Sequence, residues 1–209
     1  HIFGYLKSSP RRRLFMDPDH PNISEALFKK FDWEDFYRDA VEAIPHDAPE
    51  PRGLVVSTHC FVDASHASDK KTRRSQTGIL IFVNRAPVMW HSKRQNAVEV
   101  STFGSEFIAL RNAVELITGL RYKLRMFGIQ LEGSTNAFCD NEAVYKNVVN
   151  PDSVLHKKQH SLSYHYCREN VAAGVIRVAK EDSKTNLSDV FTKIMNKPKR
   201  EQLLGNFMY

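Results

Sequence analysis

The sequence predicts an α/β domain built on a mixed five-stranded sheet with helices on both faces. Three observations carry this. Strand-like runs follow one another over residues 54–91 with only short links between them, as in an antiparallel meander. A long amphipathic helix comes next, with Phe103, Phe107, Leu110, Val114, Ile117 and Leu124 recurring at helical spacing. Strand-like and helix-like runs then alternate to residue 195, and this requires crossovers onto the same sheet.

Residues 1–53 hold six of the nine prolines, which argues against sheet core there. They also hold Phe28, Phe31, Trp33, Phe36 and Tyr37, an aromatic group expected to be buried against a neighbour. Pro45 to Gly53 reads as a linker. The predicted strands are Leu54 to Asp63, Thr77 to Asn84 and Ala86 to His91, chosen for their β-branched and apolar content. Lys70, Lys71, Arg73 and Arg74 fill the first link. Ser101 and Thr102 are the candidate caps of the long helix, and Gly128 its stop. Then come a strand at Thr135 to Asp140, helices at Asn141 to Val149 and Val154 to Ala172, and a strand at Val175 to Ala179. A last helix is expected at Asn186 to Met195, with Leu187, Val190, Phe191 and Ile194 on one face.

Composition narrows the function. The chain has 209 residues, 42% of them hydrophobic, enough for one domain with a real core. No apolar run approaches the ~20 residues needed to cross a bilayer, so no membrane partner is expected. The chain opens on His1 without a basic-then-apolar leader and reads as a piece of a longer polypeptide. Its net charge of +6 suits a nucleic-acid partner, and equally a solvated basic surface. Cys60, Cys139 and Cys167 form no CxxC pair, which favours a reducing compartment. His156, His160 and His165 lie in one segment, but His156 and His160 lack the further ligands a zinc site needs.

Four acids sit beside apolar neighbours. Asp63 ends the first strand and Asp140 the fourth, so adjacent strands would bring their carboxylates together. Glu106 falls in the first turn of the long helix, and Asp189 in the last helix before Val190 and Phe191. Taken singly, each has an ordinary reading as a turn residue or helix-surface acid. Clustered, they would repel one another unless a cation lay between them. Oxygen-only ligands suit Mg²⁺, and paired ions about 3.5–4 Å apart serve phosphodiester hydrolysis.

Here the sequence resembles the C-terminal part of copia-type retrotransposon polyproteins. The resemblance runs through Phe61-Val62-Asp63-Ala64, Thr72-Arg73-Arg74-Ser75-Gln76-Thr77-Gly78 and Trp90-His91-Ser92-Lys93-Arg94-Gln95. It continues in Ser101-Thr102-Phe103-Gly104-Ser105-Glu106, Cys139-Asp140-Asn141 and Asp189-Val190-Phe191-Thr192-Lys193. These motifs occur in the family's order and cover about residues 54–195. The resemblance implies an RNase H-like fold and a ribonuclease H cutting the RNA strand of RNA–DNA hybrids. It implies Asp63, Glu106, Asp140 and Asp189 as acids holding two Mg²⁺ ions, with Mn²⁺ as an alternative. Asp63 would bridge both metals, Glu106 and Asp140 would complete the leaving-group side, and Asp189 would hold the metal carrying the attacking water.

It also implies residues 1–53 as a connection from a covalently linked reverse transcriptase, residues 54–196 as the nuclease domain and residues 197–209 as a tail. The implied location is the cytoplasm, within the element's virus-like particle, or the nucleus. Arg73, Arg74, Lys93, Arg94, Gln95 and Asn141 are the expected nucleic-acid contacts, and Trp90 is expected in the core. Two departures stand out. Gly104 replaces an acid that would form a capping box with Ser101. The loop Lys180 to Thr185 also lacks the His found in cellular relatives. The rival readings are a non-catalytic binding domain, a strand transferase, which would end on a Glu, and an inactive or domesticated copy.

Overall fold

A computed structural model describes residues 7, 9–155 and 158–209. Its sheet comprises β1 (Thr58–Ser65), β2 (Gln76–Val83), β3 (Ala86–Arg94), β4 (Thr135–Cys139) and β5 (Ile176–Lys180), in the order β3-β2-β1-β4-β5. The first three strands pair antiparallel, and β4 and β5 run parallel to β1. This is the mixed five-stranded sheet expected from the sequence. The helices are α1 (Glu34–Tyr37), α2 (Thr102–Met126), α3 (Glu142–Val149), α4 (Ser161–Ala172) and α5 (Lys197–Leu204).

The two-residue period of β1 divides its side chains between two cores. Cys60, Val62 and Ala64 face the side covered by α2, α3 and α4, where Phe107, Leu110, Val114 and Ile117 pack against Ile79 and Ile81. On the other face Leu80 and Phe82 pack with Leu187, Leu203, Leu204 and Phe207. The stretch 197–209, expected as a tail, thus supplies a helix to this second core, and Met208 forms a bridge with Leu14.

Residues before the sheet also pack on it. Phe28 is buried against Phe138, with ring centroids 5.9 Å apart. Trp33, Phe36 and Tyr37 lie against the Arg168 guanidinium, although Phe36, like Phe31, keeps much of its surface exposed. Arg168 is itself buried and donates to the carbonyls of Asn147, Asn150 and Pro151, fixing the loop from α3 to α4.

Several expected boundaries shift. The first strand begins at Thr58, leaving Leu54 exposed, and the third runs on to Arg94. The helix expected from Val154 begins at Ser161, after a 3₁₀ turn at Lys158–His160. His156 lies outside the described residues. The helix expected at Asn186 to Met195 shrinks to a 3₁₀ turn, Leu187–Phe191, capped by Asn186. The cause is tertiary: Thr192 and Lys193 turn back to Asp63, and Ile194 is left in solvent. Trp90, expected in the core, is 55% exposed, because it lies on edge strand β3 beside an apolar groove lined by Leu14, Pro87 and Phe191.

Candidate active site

Strand register brings the first two acids together. Val62 of β1 lies opposite Cys139 of β4, so Asp63 and Asp140 follow side by side where that pairing stops; Asp140 lies just past β4, but Asp63 does not end its strand as expected, because β1 stays paired with β2 as far as Ser65. Glu106 approaches from α2, whose start is fixed by the Ser101 hydroxyl accepting from the Gly104 N–H. It stands just beyond the first turn, not within it. Asp63, Glu106 and Asp140 each offer an oxygen within 4.8 Å of the others. Asp63 and Glu106 are buried and Asp140 is half-buried.

Asp189 joins through a neighbour. The Lys193 Nζ lies 2.6 Å from Asp189 Oδ1 and 3.1 Å from Asp63 Oδ1. The Thr192 hydroxyl donates to the other Asp63 oxygen. This close docking depends on Gly78, which stands opposite Asp63 in β2. A Cβ there would lie 2.6 Å from Thr192 Cγ2 and 2.8 Å from the Ser188 carbonyl oxygen, closer than packed atoms tolerate.

Gly104 has a comparable role. A Cβ on it would lie 2.3 Å from a Glu99 carboxylate oxygen and 2.8 Å from His160 Nε2. The capping box that Gly104 rules out is absent, and a Glu99–His160 pair 3.2 Å apart packs over the helix start beside Phe103 and Phe107. His160 is therefore a buried packing residue, and His165 bonds the Tyr37 hydroxyl at 2.7 Å. Neither points to zinc.

The expected nucleic-acid contacts divide. Arg73 and Lys93 are exposed and Arg74 is half-buried. Arg94 is exposed but pairs at 2.5 Å with Asp69, the acid that ties the turn after β1. Asn141 caps α3 through its carbonyl oxygen, which accepts from Ala143 and Val144. Gln95 is 5% exposed, and its amide donates to Thr77 and to the Ser105 carbonyl inside the fold.

The electrostatics follow from crowding. Burial, then the charges of Asp63 and Asp140, push the Glu106 carboxyl up to about 9. Burial and Asp63 raise Asp140 as well. Burial also raises Asp189, against the hydrogen bond from Lys193. The sign for stability follows. A carboxyl with its folded value above its unfolded value near 4.5 holds its proton longer in the folded chain, so stability falls as pH rises from about 4.5 through about 9. In EDTA, the melting temperature of the wild type should fall relative to Glu106→Gln across that window. Saturating Mg²⁺ should close the gap. Parallel melting curves in EDTA would sink this account of the cluster.

Lys193, Thr192 and Gly78 were quoted in the motifs but given no role there. The i, i+4 spacing of Asp189 and Lys193 was the available signal for the ion pair. Nothing local signals the contact of Gly78 with Thr192, because they lie far apart in the chain.

The chain is 28% identical over 146 residues to the retrovirus-related Pol polyprotein of transposon RE2 from Arabidopsis thaliana, covering 70% of this chain and 10% of the relative. It is 28% identical over 141 residues to that of transposon TNT 1-94 from Nicotiana tabacum, covering 68% of this chain and 10% of the relative. The chain thus spans about a tenth of the curated relatives it matches. No profile of a known protein family matches it. The crystal structure of RNase H1 from Halobacterium salinarum aligns with 65% of this chain and 94% of its own, at 15% identity and a TM-score of 0.49.

Proposed function

We propose that this chain, homologous over most of its length to transposon Pol polyproteins, is the ribonuclease H region of a copia-type element. On this reading it cuts the RNA strand of RNA–DNA hybrids endonucleolytically, linked in its parent polyprotein to a reverse transcriptase. The observation that carries the reading is the convergence of Asp63, Glu106 and Asp140, with Asp189 tied in through Lys193.

The donor set fits divalent metal. Its ligands are all oxygens gathered within 4.8 Å of one another, the hard-donor chemistry that Mg²⁺ or Mn²⁺ prefers. Burial and then mutual repulsion raise the Glu106 and Asp140 carboxyls, and a cation among them would relieve both. Two bound Mg²⁺ ions, or Mn²⁺ in their place, would activate the attacking water and stabilise the leaving oxygen. Asp63, central to the cluster, would help hold both ions, Glu106 and Asp140 would serve the leaving-group side, and Asp189 would serve the water side. Arg73, Arg74 and Lys93 offer cations to the backbone phosphates. The Asn141 amide N–H₂, left over from its capping role, offers a donor to a 2′-hydroxyl.

The test is incubation of the purified chain with a labelled RNA–DNA hybrid and Mg²⁺, beside single-stranded RNA and duplex DNA. The RNA strand of the hybrid alone should be cut, and EDTA should stop it. Hybrid that is bound but uncut in both Mg²⁺ and Mn²⁺ would overturn catalysis and leave a binding domain.

A further inference from the structure

We propose that Lys193 is a built-in competitor for the cation site: its ammonium holds the Asp63 and Asp189 oxygens that a metal ion would use, and so sets the metal concentration at which that half of the site loads. The inference rests on the nuclease reading above.

The geometry has three parts. First, the ammonium touches two different acids, at 2.6 Å on Asp189 and 3.1 Å on Asp63, so it acts as a cation bridge between them. Second, its bonds are one-sided. Among the described residues they reach Asp63 and Asp189, whereas Glu106 and Asp140 receive none from it. Both Asp63 oxygens carry a donor, Lys193 on one and Thr192 on the other, and the ammonium stands on the Asp189 side of the cluster rather than the Glu106–Asp140 side. Third, the acids are fixed but the lysine is free to leave. The side chains of Asp63 and Asp189 are 1% and 7% exposed, whereas that of Lys193 is 39% exposed on a flexible four-carbon stem.

Like charges a few ångströms apart in a half-buried setting repel strongly, so the ammonium and an ion on the same oxygens exclude each other. Two consequences follow. Divalent ions should load in two steps, the weaker one being the step that displaces Lys193. The same lysine should hold the acids together when metal is scarce.

The test titrates Mn²⁺ into the full chain by calorimetry, with wild type, Lys193→Met, Lys193→Arg and Asp63→Asn. Lys193→Met should tighten the weaker step about tenfold and lower the melting temperature in EDTA. Lys193→Arg, which keeps the charge, should stay near wild type. Unchanged or weaker Mn²⁺ binding by Lys193→Met, with binding still lost in Asp63→Asn, would overturn the inference and leave the nuclease reading standing. No Mn²⁺ binding by wild type or Lys193→Met would overturn both. A measurement on the wild type does not depend on how the variants fold. The Lys193 ammonium resonance, followed by nuclear magnetic resonance, should move on saturation with Mg²⁺, and an unmoved resonance would also overturn the inference.

Discussion

Asp63→Asn should abolish cleavage of the hybrid, lowering the rate by about a thousandfold or more. Such a loss corresponds to about 4 kcal/mol of transition-state stabilisation. Asp63 is fully buried at the centre of the cluster, and on the proposed mechanism both ions depend on it. Asparagine keeps the shape and one carbonyl oxygen but loses the charge, so little steric damage is expected. The fold should survive, because the substitution also removes a negative charge that crowds Glu106 and Asp140. The decisive comparison measures cleavage and hybrid binding on the same preparation, with circular dichroism as the check on folding. Binding kept and cleavage lost supports the metal-centred mechanism. Cleavage within tenfold of wild type would remove Asp63 from the reaction.

The second large effect concerns stability. Glu42→Ala should destabilise the protein by about 3–5 kcal/mol, the usual cost of removing one partner from a buried charge pair. Glu42 accepts from Arg121 at 2.7 and 2.8 Å and from Arg125 at 2.5 and 2.6 Å. Burial alone would raise its carboxyl, but the hydrogen bonds from Arg121 and Arg125 win and hold it at about 2. The Arg121 side chain is 3% exposed, and without Glu42 a buried guanidinium would keep only Gly133 and Thr135 as acceptors. Against a typical total of about 5–15 kcal/mol, that loss would be severe. Glu34→Ala is the control: its pair with Arg38 is exposed, and its loss should cost under about 1 kcal/mol. Urea unfolding of both variants decides the matter. A Glu42→Ala cost below about 1 kcal/mol would mean that residues 1–53 are only a connection. A large cost would make them part of the folded nuclease unit, which is the boundary we propose.

The parts of the fold legible in the sequence were those written in short-range periodicity. The stripe from Phe103 to Leu124 became α2, with Ser101 as its cap. The apolar runs around Ile79 and Phe138 became β2 and β4, and Asn141 opened α3 where a helix was expected. The last acidic segment misled, because Leu187, Val190, Phe191 and Ile194 read as one helical face. Only Leu187, Val190 and Phe191 pack into the second core, while Ile194 faces solvent once Lys193 turns to Asp63. Trp90 misled for a related reason, since position on an edge strand is not visible in a local pattern.

The sequence by itself determined the class of fold and singled out four acids as candidates, because helical and strand periods are local and the motifs keep their order along the chain. Tertiary structure alone decided how those acids meet. Parallel pairing of β1 with β4 set Asp63 beside Asp140, and the absence of a Cβ at Gly78 let Thr192 and Lys193 reach Asp63. It also decided that Gln95 is spent inside the fold and that Glu42 braces α2 from outside the sheet. The physical reason is the same in each case. Burial, charge pairing and close approach depend on residues far apart in the chain, and their energies exist only once the sheet has brought them together.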